Sequence, residues 1–317
     1  MSTPLSALIV GAGSIGGLID DPNSKNIASH AHAYSISNET ELRAICEPNE
    51  LNAFAFMERW GDVEHFVTLE DIGEGPYDIV SVASITAEHF NHLSRLLHRD
   101  DCSMILCEKP VVSTKEELST LTTLIHNSKK KIIINLIRRY NSAFIDLAEQ
   151  VHRGVYGKNL GFQGVCTKGL LHNGSHLLGV LSHLLGPLHT IRTFNASLCH
   201  GDVCGEFGIS LEHGVGTVSV LSPCEYSLFE ATLWFEHAVL KILDGGEIIE
   251  IYSKIPSPLY KGYFVLERRK TIHTNLSQYA LNSLEFLLHR SSEECREILN
   301  EHLLIHERIF QAMEKVY

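Results

Sequence analysis

Lys109 and His176 are the side chains in this sequence best suited to steadying charge on an oxygen and moving a proton. An ammonium can polarise a carbonyl or support an alkoxide. A histidine accepts and releases a proton near neutral pH. Together they suit hydride exchange between a nicotinamide and a carbinol carbon, because the hydroxyl proton needs an acceptor and the oxygen needs stabilising. That chemistry also needs a place for a dinucleotide. Ala7-Leu8-Ile9-Val10 runs straight into Gly11-Ala12-Gly13-Ser14-Ile15-Gly16, a Gly-x-Gly-x-x-Gly pattern directly after an apolar strand. In that context Gly11 permits a tight turn, Gly13 lets the backbone approach a pyrophosphate, and Gly16 lets the following helix pack close. The N–H groups at the helix start, including those of Ser14 and Ile15, face the phosphates. Glu47 closes the second strand, where a carboxylate accepts from the adenosine ribose and repels a 2′-phosphate. This favours NAD over NADP.

These residues need a sheet to hold them. Apolar runs at 5–10, 42–46, 65–67, 77–83, 104–107 and 132–136 alternate with helical patterns, such as the one over 49–60 capped by Asn49. Thr114 or Ser113 caps another, with Glu116 and Glu117 in its first turn. Strict alternation predicts a doubly wound α/β Rossmann domain over residues 1–137. Lys109 then lies at the carboxyl end of the fifth strand, the edge where such sheets bind ligands. Asn135 ends the sixth strand, within reach of nicotinamide or substrate. A polar, Pro-punctuated stretch at 19–25 reads as a surface insertion, and it lengthens the interval from Gly16 to Glu47. His30 and His32 follow it. A spacing of two does not share a helix face, so they are no metal pair, but they lie close in sequence to the phosphate loop.

Residues 138–317 read differently. A helix is expected over 175–185, ended by Gly186-Pro187. Strand patterns follow at 190–196, 206–212, 216–221, 227–235, 239–243 and 248–251. This predicts an α+β domain with a large, mainly antiparallel, open-faced sheet. Helices over 277–288 and from 292 onward close the chain, and residues 277–317 are expected to pack back on the first domain.

The 317 residues are 44% hydrophobic and 20% charged, with net charge −12, which describes a globular protein without the basic surface nucleic acid requires. No apolar run reaches membrane-spanning length, and no signal-peptide pattern opens the sequence. Eight cysteines without a CxxC pair suit free thiols in a reducing cytoplasm. Cys199-His200-Gly201-Asp202-Val203-Cys204 has metal-ligating residue types, but no second cluster completes it, so no metal is expected.

The glycine loop, Glu108-Lys109-Pro110 after the fifth strand and Arg138-Arg139-Tyr140 after the sixth resemble the Gfo/Idh/MocA oxidoreductases. Leu170-Leu171-His172-Asn173-Gly174-Ser175-His176 is similar to that family's active-site helix start, in which an Asp and a His four residues apart face the substrate. The resemblance implies an NAD(P)-dependent dehydrogenase or reductase acting on CH–OH groups of a sugar, sugar acid or nucleotide sugar, possessing a role in surface-glycan metabolism. It implies cofactor contacts at Ser84, His89, Glu108 and Lys109, and substrate contacts at Asn135, Arg139, Lys168 and Asn173. A salt bridge supporting the domain junction is the other reading of Arg139. It also implies a homodimer or homotetramer formed through the open sheet.

His172 stands where the family commonly has Asp, and Gly179 where many members have a further Asp. Both carboxylates are therefore missing from the local pattern. Asn173-Gly174 argues that the helix does not reach residue 172. With its carboxylates gone, the chain could also be a cofactor-binding regulator or scaffold that kept the fold and lost the chemistry. A reductase of a non-sugar substrate, an imine or a tetrapyrrole, is a third reading.

Overall fold

The computed structural model describes residues 3–73, 75–199, 201–221 and 225–316. The chain divides into two compact units, one of Met1–Ile137 with Ser277–Leu303 and one of Arg138–Leu276 with Leu304–Tyr317.

The first unit is a six-stranded sheet of β1 (Leu5–Val10), β2 (Thr40–Cys46), β3 (Glu64–Phe66), β4 (Ile79–Val82), β5 (Met104–Cys107) and β6 (Lys131–Ile134), in the order β3-β2-β1-β4-β5-β6. Every neighbouring pair is parallel. The order reverses between β1 and β4, and a crevice opens at the carboxyl ends of strands at such a switch point. Helices on both faces leave no solvent side, so the strands are near-continuous apolar runs; Ile9, Ile79, Ile105 and Ile133 are fully buried. The helices are α1 (His30–Ile36), α2 (Glu50–Trp60), α3 (Thr86–Leu97), α4 (Lys115–Asn127) and, from late in the chain, α7 (Tyr279–His289). The side chain of Asn49 caps α2, and Thr114 with Glu117 forms a reciprocal capping box on α4. α7 packs on α1 and on β5 and β6.

The segment after the glycine loop departs from the expected helix. It is a single π-helical turn, Ser14–Leu18, in which the N–H groups of Gly17 and Leu18 both reach the carbonyl of Gly13, at 3.0 and 3.1 Å. The turn stops because α2 takes the carbonyls that would continue it. Trp60 Nε1 donates to Gly17 O at 2.8 Å, and Arg59 donates to Leu18 O and Asp20 O at 2.6 and 2.8 Å. A Cβ on Gly17 would lie 2.3 Å from the Phe56 ring, so α2 presses directly on the turn.

The second unit holds an eight-stranded sheet of β7 (Asn159–Thr167), β8 (Leu188–Cys199), β9 (Asp202–Leu211), β10 (Gly214–Leu221), β11 (Phe229–Phe235), β12 (Ala238–Leu243), β13 (Ile248–Pro256) and β14 (Phe264–His273). Its order is β14-β13-β12-β11-β7-β10-β9-β8. All pairs are antiparallel except β7 with β10. α5 (Ser142–His152) packs on α6 (Ser175–Leu185), and α6 lies on β7, its Leu177 seated over Gly164. The alternation in β11 leaves Phe229, Ala231 and Leu233 buried and Trp234 exposed; Val215 and Phe194 are exposed on β10 and β8. β14 escaped the sequence pattern. Its run Glu267-Arg268-Arg269-Lys270 carries no apolar alternation, because this edge strand is exposed along almost its whole length and is held by backbone pairing to β13.

Candidate active site

In the first unit the carboxyl ends of β1, β2 and β4 surround a cavity of about 810 Å³. Gly11, Gly13, Ser14, Ile15, Glu47 and Ser84 all line it, six of the residues that the sequence singles out for a dinucleotide. Their local chemistry explains the arrangement. Gly11 sits at φ +95°, and a Cβ there would lie 2.5 Å from the Ser84 backbone, so the two strand ends touch only because the residue is glycine. Gly16 is packed on the carbonyl of Gly11, which a Cβ would approach to 2.0 Å. Gly13 has nothing within 4 Å of a Cβ position, which is the open approach a pyrophosphate needs.

Glu47 is 7% exposed. Its Oε2 accepts from the Ala12 N–H at 2.8 Å and its Oε1 from the Asn49 N–H at 2.9 Å. The carboxylate therefore fixes the glycine loop and starts α2, and each oxygen retains a lone pair for a ligand hydroxyl. Ser84 Oγ pairs with His92 Nδ1 at 2.9 Å, and burial holds the His92 imidazole below its ordinary pKa. Glu88, His92 and Arg95 of α3 also line the cavity. Sequence reasoning missed them, although the i, i+4, i+7 spacing of polar residues on a helix following a parallel strand was a readable signal. Arg95 pairs with Glu70 at the rim, both exposed.

His89 does not line the cavity. It is 1% exposed, with Nδ1 2.7 Å from the Pro110 carbonyl and Nε2 2.9 Å from the Ser84 carbonyl. It ties the turn after β4 to the Glu108-Lys109-Pro110 segment, whose Lys109–Pro110 peptide is cis.

Glu108 and Asn135 join a buried network. A buried polar chain runs from Tyr34 Oη to Ser81 Oγ (2.7 Å), on to His30 Nδ1 (3.0 Å), from His30 Nε2 to Glu108 Oε1 (3.2 Å), and from Asn135 Nδ2 to the same oxygen (2.5 Å). Ser283 of α7 closes it by donating to Asn135 Oδ1 at 2.7 Å. Burial pushes the Glu108 carboxyl up, but the hydrogen bonds from His30 and Asn135 and the charges of His30 and Lys109 outweigh it and hold the group below its ordinary value. His30 and His32 are thus core residues, not groups at a ligand mouth. His32 Nδ1 pairs with Asp20 at 3.1 Å. Asn135 is 2% exposed, and its amide is engaged by Glu108 and Ser283. Lys109, half-buried, follows this anchored carboxylate directly.

In the second unit Lys168, His172, Asn173 and His176 share one segment. Lys168 is in the left-handed region, at φ 69°, and is exposed. A π-helical turn, Gly169–Gly174, then runs without a break into α6, since Gly174 itself has helical φ and ψ. The helical path therefore includes residue 172, contrary to the expectation from Asn173-Gly174. His176 is buried at 7% exposure. The expected lack of a carboxylate is also corrected: Asp202, at the start of β9, places Oδ2 2.8 Å from His172 Nδ1. The other ligating types expected around it form no metal group among the described residues, and His200 lies outside them. Arg139 lies close to His183 on α6. Burial first, and the charges of Arg139 and His152 second, push the His183 imidazole down to about 2.

Residues 5–136 match the family model described as oxidoreductase family, NAD-binding Rossmann fold. Over these residues, under half of the chain, the sequence is similar to the Gfo/Idh/MocA oxidoreductases. Its fold is therefore an NAD(P)-binding one, and the cavity at the β1/β4 switch point is where that fold receives its ligand. A curated relative, D-glucoside 3-dehydrogenase from Escherichia coli (strain K12), is 26% identical over 209 residues, 62% of this chain; the match spans 56%, about half, of that relative's length. Among solved structures, an oxidoreductase from Agrobacterium radiobacter in complex with NAD+, L-tartaric acid and magnesium superposes with TM-score 0.72 at 11% identity, covering 99% of this chain and 96% of that one. KijD10, a 3-ketoreductase from Actinomadura kijaniata in complex with TDP-benzene and NADP, superposes with TM-score 0.73 at 16% identity, covering 98% and 96%. Both carry the same fold as this chain. Among the described residues no helix is long and apolar enough to cross a membrane.

Two glycines separate folding from binding. Gly13→Ala should leave stability within about 0.5 kcal/mol of the parent while weakening NAD(P) binding about tenfold or more. Gly11→Ala should damage both; urea unfolding and calorimetric titration read the difference, and equal effects of the two would contradict it.

Glu108 makes a pH prediction. A carboxyl held below its ordinary value stabilises the fold above that value, and the contribution is lost as pH falls through it. Wild type should lose more stability than Glu108→Gln between about pH 7 and about pH 4. Parallel urea curves across that interval would contradict the assignment. Glu108→Ala, which leaves His30 and Asn135 without their acceptor, should cost about 1–3 kcal/mol per unpaired group.

Proposed function

We propose that this protein is an NAD-dependent dehydrogenase or reductase acting on a CH–OH group of a sugar, sugar acid or nucleotide sugar. The observation that carries the reading is the placement of Lys109 at the carboxyl end of β5, in the same sheet whose β1, β2 and β4 ends line the glycine-loop cavity. When bound, the nicotinamide accepts or supplies a hydride. The chain's own groups do the rest. N–H groups of the Gly13–Ile15 turn hold the pyrophosphate. Glu47 accepts from the adenosine ribose. Lys109 polarises the reacting oxygen, and a histidine of the His172–His176 segment exchanges the hydroxyl proton. Arg139, Lys168 and Asn173 are proposed to orient substrate.

The preference for NAD rests on Glu47, a buried carboxylate that repels a 2′-phosphate. Arg95, the cation at the cavity rim, is engaged by Glu70. The sugar-type substrate draws support from the glucoside 3-dehydrogenase relative. A cofactor-binding regulator without chemistry is the second reading, suggested by the carboxylates missing at 172 and 179; Asp202 beside His172 favours the enzyme. The free thiols among the described residues fit a reducing compartment, and we place the protein in the cytoplasm on that basis. A second copy is proposed to cover the open sheet face that carries Val215 and Trp234.

A panel of glycosides, polyols and nucleotide sugars, followed at the nicotinamide absorbance band, tests the activity. Turnover with NAD+ should exceed turnover with NADP+, and Lys109→Ala should lower kcat by about 10²- to 10⁴-fold with cofactor affinity kept. Undiminished turnover in Lys109→Ala would overturn the role of that residue. Light scattering tests the assembly: Trp234→Glu with Val215→Asp should yield monomers, and an unchanged mass would contradict the proposed interface.

A further inference from the structure

The acidic group absent from the local pattern at residues 172 and 179 is returned by a distant strand. Asp202 begins β9, and its side chain is 4% exposed. Oδ2 accepts from His172 Nδ1 at 2.8 Å and from the His172 N–H at 3.0 Å; the Leu171 N–H lies 3.0 and 3.1 Å from the two oxygens; Oδ1 accepts from the Val203 N–H at 2.7 Å. The backbone makes room for this carboxylate. Gly169 is at φ +85°, and a Cβ there would lie 2.1 Å from Oδ2. Lys168, just before it, accepts a left-handed conformation that non-glycine residues rarely adopt.

Burial pushes the Asp202 carboxyl up, but the hydrogen bonds from the His172 ring and from the N–H groups of Leu171, Val203 and His172 outweigh it and hold the group below its ordinary value. An ionised carboxylate only accepts. Nδ1 of His172 must therefore carry a hydrogen, and in the neutral ring Nε2 carries the lone pair. The His172 side chain is 44% exposed, whereas His176 is buried.

We propose that Asp202 is the positioning residue that makes His172, not His176, the proton carrier of the reaction. It fixes the Nδ1–H tautomer and leaves Nε2 as the basic nitrogen. In the oxidative direction the substrate O–H bond breaks and an Nε2–H bond forms. The oxygen's electron pair closes the C=O bond, and the C–H electron pair leaves as the hydride that the nicotinamide accepts. Asp202 stabilises the resulting imidazolium without taking the proton itself. This inference rests on the oxidoreductase reading for its catalytic half only; the tautomer stands on the geometry.

Nitrogen NMR of chain labelled with ¹⁵N-histidine tests it, with His172 assigned by the signals lost in His172→Gln. Wild type should show a pyrrole-like Nδ1 and a pyridine-like Nε2, and Asp202→Asn should lose that preference. The reverse tautomer in wild type would overturn the proposal, and this measurement decides even if Asp202→Asn does not fold. In turnover, Asp202→Asn should lower kcat by about 10²-fold or more while KM for cofactor stays unchanged. That loss should vanish in the His172→Gln background, since one residue acts through the other. Losses that multiply independently would refute positioning. A wild type that binds cofactor but turns over no substrate would sink the oxidoreductase reading and the catalytic half with it, whereas the ring spectrum would still decide the tautomer.

Discussion

The Glu108 carboxylate is the contact on which the first unit's ligand edge depends. An ion buried without partners is prohibitively costly, so its donors must stay where they are. Those donors come from different elements: His30 from α1 and Asn135 from the end of β6. Through them the chain reaches Ser81 in β4 and Ser283 in α7. One carboxylate thereby fixes the ends of three neighbouring strands and recruits a helix from late in the sequence. Lys109 is the next residue, so the group proposed to meet the substrate inherits its position from this buried carboxylate.

Asp202 follows the same logic in the second unit. It too is a buried carboxylate held ionised by N–H donors, and it too fixes the segment that carries a proposed proton carrier. In each unit a glycine permits a close approach: Gly11 to the Ser84 backbone, Gly169 to Asp202. The chain concentrates its ionic and conformational costs next to the residues whose geometry matters, a pattern expected where preorganisation, more than stability, is at stake.

Much of this was legible from local pattern. The apolar run into Gly11, the caps at Asn49 and Thr114, and the alternation of strand and helix each follow from neighbouring residues, and the parallel sheet follows from them. What was not legible depends on residues far apart in sequence. His172 and Asp202 are separated by 30 positions and His30 and Glu108 by 78, and no periodicity links either pair. The π-helical turn after Gly13 ends because Arg59 and Trp60 claim its carbonyls, a tertiary cause invisible in the turn itself. β14 was missed because an exposed edge strand needs no apolar face, and backbone pairing suffices to form it.

The cavity at the ends of β1, β2 and β4 is proposed to receive NAD, with its reactive end directed to Lys109. A crystal structure of the chain grown with NAD+ measures this directly. Pyrophosphate density should lie against the N–H groups of Gly13–Ile15, ribose hydroxyls on Glu47, and the nicotinamide at the carboxyl end of β5. Density elsewhere, or a cavity left without cofactor at saturating NAD+, would contradict it.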